Sequence, residues 1–89
     1  MISGNVTIIN SLGLHALAAA QLVNCASGFE STVRVIRGTR PVNGKSIMGV
    51  LTLAAAKGTE LIIEADGSDE QEAMDAVIAL FADCFGEEE

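Results

Sequence analysis

The sequence predicts an α+β fold in which helices cover one face of a mainly antiparallel sheet. Stretches that alternate apolar and polar side chains are interleaved with stretches of helical periodicity, in the order β-α-β-β-α-β-α. The 89 residues correspond to one domain, residues 1–89, and a chain of this length buries only a modest core. A compact two-layer arrangement with short connections is therefore expected.

The first two elements are a strand and an alanine-rich helix. The strand covers residues 4–9, where Val6 and Ile8 share one face. The helix begins at Ala16, and Gly28 stands where a glycine commonly ends a helix. The residues that form its apolar stripe are Ala19, Leu22, Val23 and Ala26.

Two strands follow the first helix. One runs from Thr32 to Arg37, with Val33 and Val35 facing inward. The other runs from Arg40 to Asn43 and contains Pro41, which cannot donate a ladder hydrogen bond. This second strand is therefore expected at an edge of the sheet.

A short helix and a fourth strand come next. The helix is predicted from Ser46 to Leu53, and the alanines at positions 54–56 are expected to extend it until Gly58 stops it. The strand covers Glu60 to Ala65. Its inward-facing residues are Leu61, Ile63 and Ala65.

The last helix has a recognisable start. Ser68 and Gln71 have the spacing of a capping box, and Asp69 and Glu70 fall in the electropositive first turn. Gly86 is predicted to end the helix. Its expected buried stripe consists of Ala73, Val77, Leu80, Phe81 and Cys84.

Charge and hydropathy exclude several classes of protein. A net charge of −7 argues against a nucleic-acid partner, because phosphate backbones favour a basic surface. No apolar run approaches the ~20 residues of a membrane helix, and residues 1–5 lack the basic and apolar regions of a signal peptide. A cytoplasmic protein is expected, with residues 87–89 as a solvated acidic end.

The two cysteines, Cys25 and Cys84, do not form a metal-binding pattern. They make no CxxC pair and have no neighbouring histidine, so neither a metal nor a cofactor is expected. Cytosolic disulfides are rare, and two reduced, buried thiols are favoured over a redox or disulfide role. Since the three aromatic residues are all Phe, the core is expected to be mainly aliphatic.

The single histidine, His15, lies where a loop becomes the first helix. Backbone N–H groups of a first turn have no partner within the helix, and together with the helix dipole they bind anions. A neutral imidazole is a good nucleophile near physiological pH, and the amides of Ala16, Leu17 and Ala18 would stabilise a phosphoryl group on the ring. Gly13 would let the chain turn and a partner approach. Taken alone, a loop histidine is more often a solvated or capping side chain.

Ser46 lies at the start of the short helix. Serine is a preferred N-cap, and capping alone would explain it. The alternative is regulatory phosphorylation, because a helix N-terminus tolerates a phosphate electrostatically. Ile47, Met48 and Leu51 form a small apolar stripe after it, which either packs in the core or serves as a docking patch.

Together the two sites resemble the signature regions of the histidine-containing phosphocarrier protein (HPr) family. Residues 13–20 read GLHALAAA where the family has GLHARPA, and residues 43–50 read NGKSIMGV, close to the family's N-x-K-S-I-M-G. The segments AKGTE at 56–60 and GSDE at 67–70 are similar as well. The resemblance covers essentially the whole chain.

The resemblance implies an open-faced β-sandwich, with a four-stranded antiparallel sheet and three helices on one face. It implies a carrier rather than a stand-alone enzyme: enzyme I passes phosphoryl from phosphoenolpyruvate to His15, which passes it to a sugar-specific or regulatory acceptor. In many bacteria a kinase phosphorylates the serine that matches Ser46. The expected partners are enzyme I, downstream phosphoacceptor proteins and a serine kinase, with the chain acting as a monomer.

One departure from the family pattern concerns the histidine motif itself. The family's arginine is Leu17 here, and losing one charge-assisted contact costs ~1.5–3 kcal/mol, a ten- to hundredfold effect on transfer. Ala18 regains an N–H that the family's proline lacks, and Leu14 and Leu17 form an uncharged surface for docking. Lys45 is a candidate to replace the missing charge. The alternative function is a regulatory binding module that is no longer a carrier and is controlled by phosphorylation of Ser46.

Overall fold

A computed structural model describes residues 1–86 as a four-stranded antiparallel sheet, open on one face, with three helices on the other. The strand order is β1-β4-β2-β3. The predicted fold class and element order are confirmed, and residues 87–89, predicted to be a solvated end, lie outside the described residues. The elements are β1 (Ile2–Thr7), α1 (Ala16–Ser27), β2 (Thr32–Arg37), β3 (Arg40–Asn43), α2 (Ile47–Leu51), β4 (Glu60–Asp66), α3 (Glu70–Ala82) and a short 3₁₀ turn (Cys84–Gly86).

The sheet is organised around β4, which pairs with both β1 and β2. Its alternate residues Leu61, Ile63 and Ala65 are buried, as predicted from their period of two. Pro41 lies in β3 at the sheet edge, as predicted. The first strand begins two residues earlier than predicted, because Ile2 already pairs with Ala65 of β4.

The core between sheet and helices is mainly aliphatic, as predicted. Helix α1 contributes four fully buried residues, and Val23 lies at the margin of the core. Gly28 ends α1 at the predicted place, although its φ of −75° is right-handed rather than left-handed. The α1 residues in the core are Ala18, Ala19, Leu22 and Ala26.

Helix α2 is shorter than predicted and ends at Leu51. The Thr52 hydroxyl donates to the Gly49 carbonyl (2.6 Å), and Ala54 adopts a positive φ of 49°, which no α-helix allows. The expected extension through the alanines at 54–56 is therefore wrong. Tertiary hydrogen bonding overrides alanine's helix propensity here, because the Ala55 carbonyl accepts from a loop elsewhere in the chain.

The predicted capping box at the start of α3 is also wrong. Asp69, not Ser68, is the N-cap residue, and the Gln71 amide donates to a carboxylate on its own helix. The Asp69 carboxylate instead accepts from the amides of Glu30 and Ser31, each at 2.9 Å, and from the Ser31 hydroxyl. These three hydrogen bonds, which we call the Asp69 tie, join the start of α3 to the loop before β2. These bonds, that from the Ser31 hydroxyl above all, lower the pKa of Asp69.

Helix α3 ends at Ala82, four residues before the predicted end at Gly86. Cys84 and Phe85 both have positive φ angles, 54° and 56°, and this bend turns the Phe85 ring into the core. There it meets Phe81 edge-to-face, with ring centroids 4.8 Å apart. Burying an aromatic side chain offsets the unfavourable backbone conformation.

The two cysteines, Cys25 and Cys84, are free and only partly buried, whereas buried thiols were expected. Burial raises the pKa of the Cys25 thiol. The thiolate is the reactive form, so this shift makes Cys25 less reactive at neutral pH.

The Asp69 tie predicts an acid-sensitive contribution to stability. Because folding lowers the pKa of Asp69, its ionised carboxylate stabilises the fold at pH values above the ordinary aspartate pKa of about 3.9. This contribution is lost as the pH falls through the folded-state pKa. We expect Asp69→Ala to lower the thermal midpoint at neutral pH, by circular dichroism, and the difference from wild type to shrink on acidification. Asp75→Ala, an exposed carboxyl on the same helix, is the control. A deficit for Asp69→Ala that is constant with pH would contradict this account.

Candidate functional site

His15 is the N-cap residue of α1. Its backbone is extended (φ −80°, ψ −179°), and its carbonyl accepts the first hydrogen bond of the helix, from Ala19 at 2.8 Å. The ring nitrogen Nδ1 accepts from the Leu17 amide at 3.3 Å. A nitrogen that accepts must carry the lone pair, so the neutral ring holds its proton on Nε2. The nucleophilic lone pair therefore points at the helix start.

The first-turn residues of α1 differ in their exposure to solvent. Ala16 and Leu17 are exposed, whereas Ala18 is fully buried in the core. The role expected of the Ala18 amide stays a prediction, and the burial of Ala18 counts against it. An anion at the helix start would meet the amides of Ala16 and Leu17, where the helix dipole also favours negative charge.

The loop before His15 is fixed by Asn10 and Gly13. The buried Asn10 side chain donates to the Gly13 carbonyl (2.9 Å), and the Gly13 amide donates back to the Asn10 carbonyl (3.2 Å). The Gly13 carbonyl also accepts from the His15 amide at 3.0 Å. Asn10 was not predicted as part of this site, although an asparagine three positions before a glycine is a usable turn signal.

Gly13 is required at its position for two reasons. Its φ of +68° is a conformation that residues with a Cβ seldom adopt. A Cβ there would also lie 2.6 Å from the Ala55 carbonyl oxygen and 2.9 Å from Cα of Ala56. The predicted turn is confirmed, and the close approach it allows is made by the chain's own segment after α2.

Leu14 belongs to the core rather than to the surface. It is only 6% exposed, and its amide donates to the Ala55 carbonyl at 2.9 Å. The expectation that Leu14 contributes to an exposed docking surface is therefore wrong. Its burial fixes the residue directly before His15.

Several apolar side chains near the two predicted sites are exposed. Leu17 is 60% exposed, Met48 69% and Ile47 39%, and α1 packs directly against α2. Leu51, predicted with them, is partly buried against the core. Leu12, in the loop before His15, is 70% exposed and was not predicted. These residues give the helix-start region an apolar surface.

Ser46 caps α2 in the way its sequence position predicts. Its hydroxyl oxygen accepts from the Gly49 amide at 3.1 Å, and its carbonyl accepts from the Val50 amide at 3.0 Å. Capping therefore accounts for a serine at this position. The side chain is also partly exposed.

Lys45 does not replace the family's arginine. Its ammonium group donates to the Phe29 carbonyl at 2.8 Å, just beyond the C-terminal end of α1. The 12 residues of α1 span about 18 Å, and His15 lies at the other end. The idea that Lys45 approaches the histidine is therefore wrong.

Comparisons with known proteins agree with this fold. The family model described as "PTS HPr component phosphorylation site" matches residues 2–83. The phosphocarrier protein HPr of Cupriavidus necator is 54% identical, over the full length of both chains. The crystal structure of HPr from Thermoanaerobacter tengcongensis has a TM-score of 0.96 at 40% identity, again over the full length of both. A crystal structure of an HPr dimer from that organism has a TM-score of 0.79 at 40% identity and covers 98% of this chain and 100% of that one.

An open-faced four-stranded sheet with a histidine at the start of its first helix thus defines a class of small phosphocarrier domains. Within that class, the chain belongs to the HPr family of the phosphotransferase system. In the part of the chain that the structure covers, residues 1–86, the helices are too short to cross a membrane.

The packing of Gly13 predicts that Gly13→Ala destabilises the fold by about 2–4 kcal/mol, from the left-handed backbone and the clash with Ala55. Gly38→Ala is a matched control, because Gly38 has a similar φ of +63° and nothing within 4 Å of a Cβ. We expect it to cost about 1 kcal/mol in urea denaturation. Equal losses for the two variants would show that the contact with Ala55 has no energetic weight.

Proposed function

We propose that the chain is a cytoplasmic phosphoryl carrier. It accepts phosphoryl from phosphoenolpyruvate through enzyme I on His15 and passes it to a sugar-specific or regulatory acceptor. The observation that carries the proposal is the hydrogen bond from the Leu17 amide to Nδ1, which holds the nucleophilic nitrogen at the helix start. Membership of the HPr family supports it.

The geometry favours Nδ1 as the acceptor atom. Its lone pair attacks phosphorus while the bond from phosphorus to the donor breaks, with that bond's electron pair staying on the donor. The ring keeps its Nε2 proton and becomes cationic beside the negative phosphoryl group. The amides of Ala16 and Leu17, two exposed residues, then stabilise the phosphoryl oxygens.

Leu17 changes how a partner is recognised at this site. Its side chain carries no charge and cannot donate a hydrogen bond, and it is exposed near His15. Together with Ile47 and Met48 it favours an apolar contact with enzyme I and with downstream acceptors over electrostatic capture of phosphate.

Incubation with phosphoenolpyruvate and enzyme I should give one acid-labile phosphoryl group on His15. The label is identified by mass spectrometry and by loss at low pH. His15→Ala is expected to take no label while keeping the wild-type fold. If the wild-type chain takes up no phosphoryl group after long incubation, the carrier function is refuted.

Leu17→Arg is expected to accelerate transfer from enzyme I by about ten- to hundredfold, because it restores a charge-assisted contact. Leu12→Arg is the matched control, since Leu12 is a similarly exposed leucine in the adjacent loop. Single-turnover transfer rates separate the two variants. An unchanged or slower rate for Leu17→Arg would show that the site is adapted to leucine.

A second candidate is a regulatory binding module controlled by phosphorylation of Ser46. It is favoured by two exposed apolar residues, Ile47 and Met48, directly after the partly exposed Ser46. On this account a serine kinase is the partner that matters, and His15→Ala leaves the regulatory phenotype intact whereas Ser46→Ala abolishes it. A His15→Ala strain that behaves like a deletion excludes this candidate.

A further inference from the structure

Arg37, the last residue of β2, makes contacts outside the sheet. Its guanidinium nitrogen Nη1 donates to the Leu53 carbonyl at 2.7 Å and to the Ala54 carbonyl at 3.2 Å. These carbonyls belong to the segment between α2 and β4, where the chain has left the helix. Hydrogen bonds from a charged donor are among the stronger ones in proteins.

The segment that Arg37 holds has an unfavourable backbone conformation. Ala54 has a φ of 49°, and a residue with a Cβ seldom adopts this conformation without external support. The next carbonyl, that of Ala55, accepts from the Leu14 amide at 2.9 Å. A continuous series of contacts therefore leads from Arg37 to the residue preceding His15.

The strand topology explains why Arg37 is available at this place. β4 is antiparallel to both neighbours: Thr7 at the end of β1 pairs with Glu60, and Ile36 near the end of β2 pairs with Ile62. The ends of β1 and β2 therefore lie at the same end of the sheet. The loop that carries His15 leaves β1 at this end.

We propose that Arg37 is a positioning residue for phosphoryl transfer at His15. Its guanidinium fixes Leu53 and Ala54, so that the Ala55 carbonyl holds the Leu14 amide and the turn before the histidine. This inference rests on the proposed carrier function. In this proposal the Arg37 guanidinium acts on the site through the backbone, whereas Leu17, near the histidine, is uncharged.

The test compares Arg37→Ala and Arg37→Lys with two controls on the same hairpin. Arg40→Ala removes an equal charge from the residue paired with Arg37, and Arg34→Ala removes an arginine that pairs with Glu64 at 3.1 Å. Two quantities are measured for each variant: the kcat and KM of phosphorylation by enzyme I, and the hydrogen-exchange rate of the Leu14 amide by NMR. Exchange of the β4 amides monitors the fold.

For Arg37→Ala we expect kcat to fall about tenfold with little change in KM, because the histidine is misplaced while the docking surface remains. Exchange at Leu14 should accelerate about tenfold or more, and exchange in β4 should stay as in wild type. Arg37→Lys should restore part of the kcat and part of the exchange protection at Leu14, because lysine keeps one charged donor. Both controls should behave like wild type.

Two results would overturn the inference: unchanged Leu14 exchange in Arg37→Ala, or a loss of kcat in Arg40→Ala as large as in Arg37→Ala, which would mean that charge alone acts. If Arg37→Ala does not fold, Arg37→Lys decides the matter by the same two measurements. A wild-type chain that takes no phosphoryl would instead refute the carrier function. The Leu14 exchange rates would then decide by themselves whether Arg37 holds the turn.

Discussion

The hydrogen bond from the Leu14 amide to the Ala55 carbonyl connects two segments that are distant in sequence, the loop before α1 and the segment after α2. The histidine side of this contact has a buried Leu14, a left-handed Gly13 and a buried Asn10. The other side has Ala54 in a positive-φ conformation, with Arg37 bonded to its carbonyl. Leu14 and Ala55 are both buried, so this one backbone pairing fixes the chain directly before His15 to the core.

The architecture was largely predictable because it follows from local periodicity. The alternating residues of β2 and β4 and the stripe on α1 each have one possible buried face, so the sheet, its edge strand and the helix layer follow from the pattern. Helix ends were less predictable. Alanine favours a helix intrinsically, yet α2 ends before Ala54, and Asp69 caps α3 although the serine before it is an equally good cap. In both cases a contact with a distant segment decides where the helix begins or ends.

The candidate site was predictable in its centre and not in its surroundings. The histidine after Gly-Leu is predicted as the phosphoacceptor only together with the second motif at residues 43–50, and the structure places it at the helix start, as expected. The burial of Leu14 and Ala18 was not predictable, because neighbouring positions at a helix start point in different directions and only packing shows which faces inward. Arg37 carried no local signal, since a basic residue before a glycine turn is ordinary on a surface. Its partners, Leu53 and Ala54, are distant in sequence.

The contact between the Leu17 amide and Nδ1 also determines the order of events in the proposed reaction. The amide has to release the nitrogen before phosphorus can bond to it, and a phosphoryl oxygen then arrives as a new acceptor for the same N–H. One hydrogen bond is exchanged for another, so loading and unloading leave the helix start equally satisfied. The Leu17 amide therefore has an acceptor in both states of the carrier that we propose, before and after the phosphoryl group arrives.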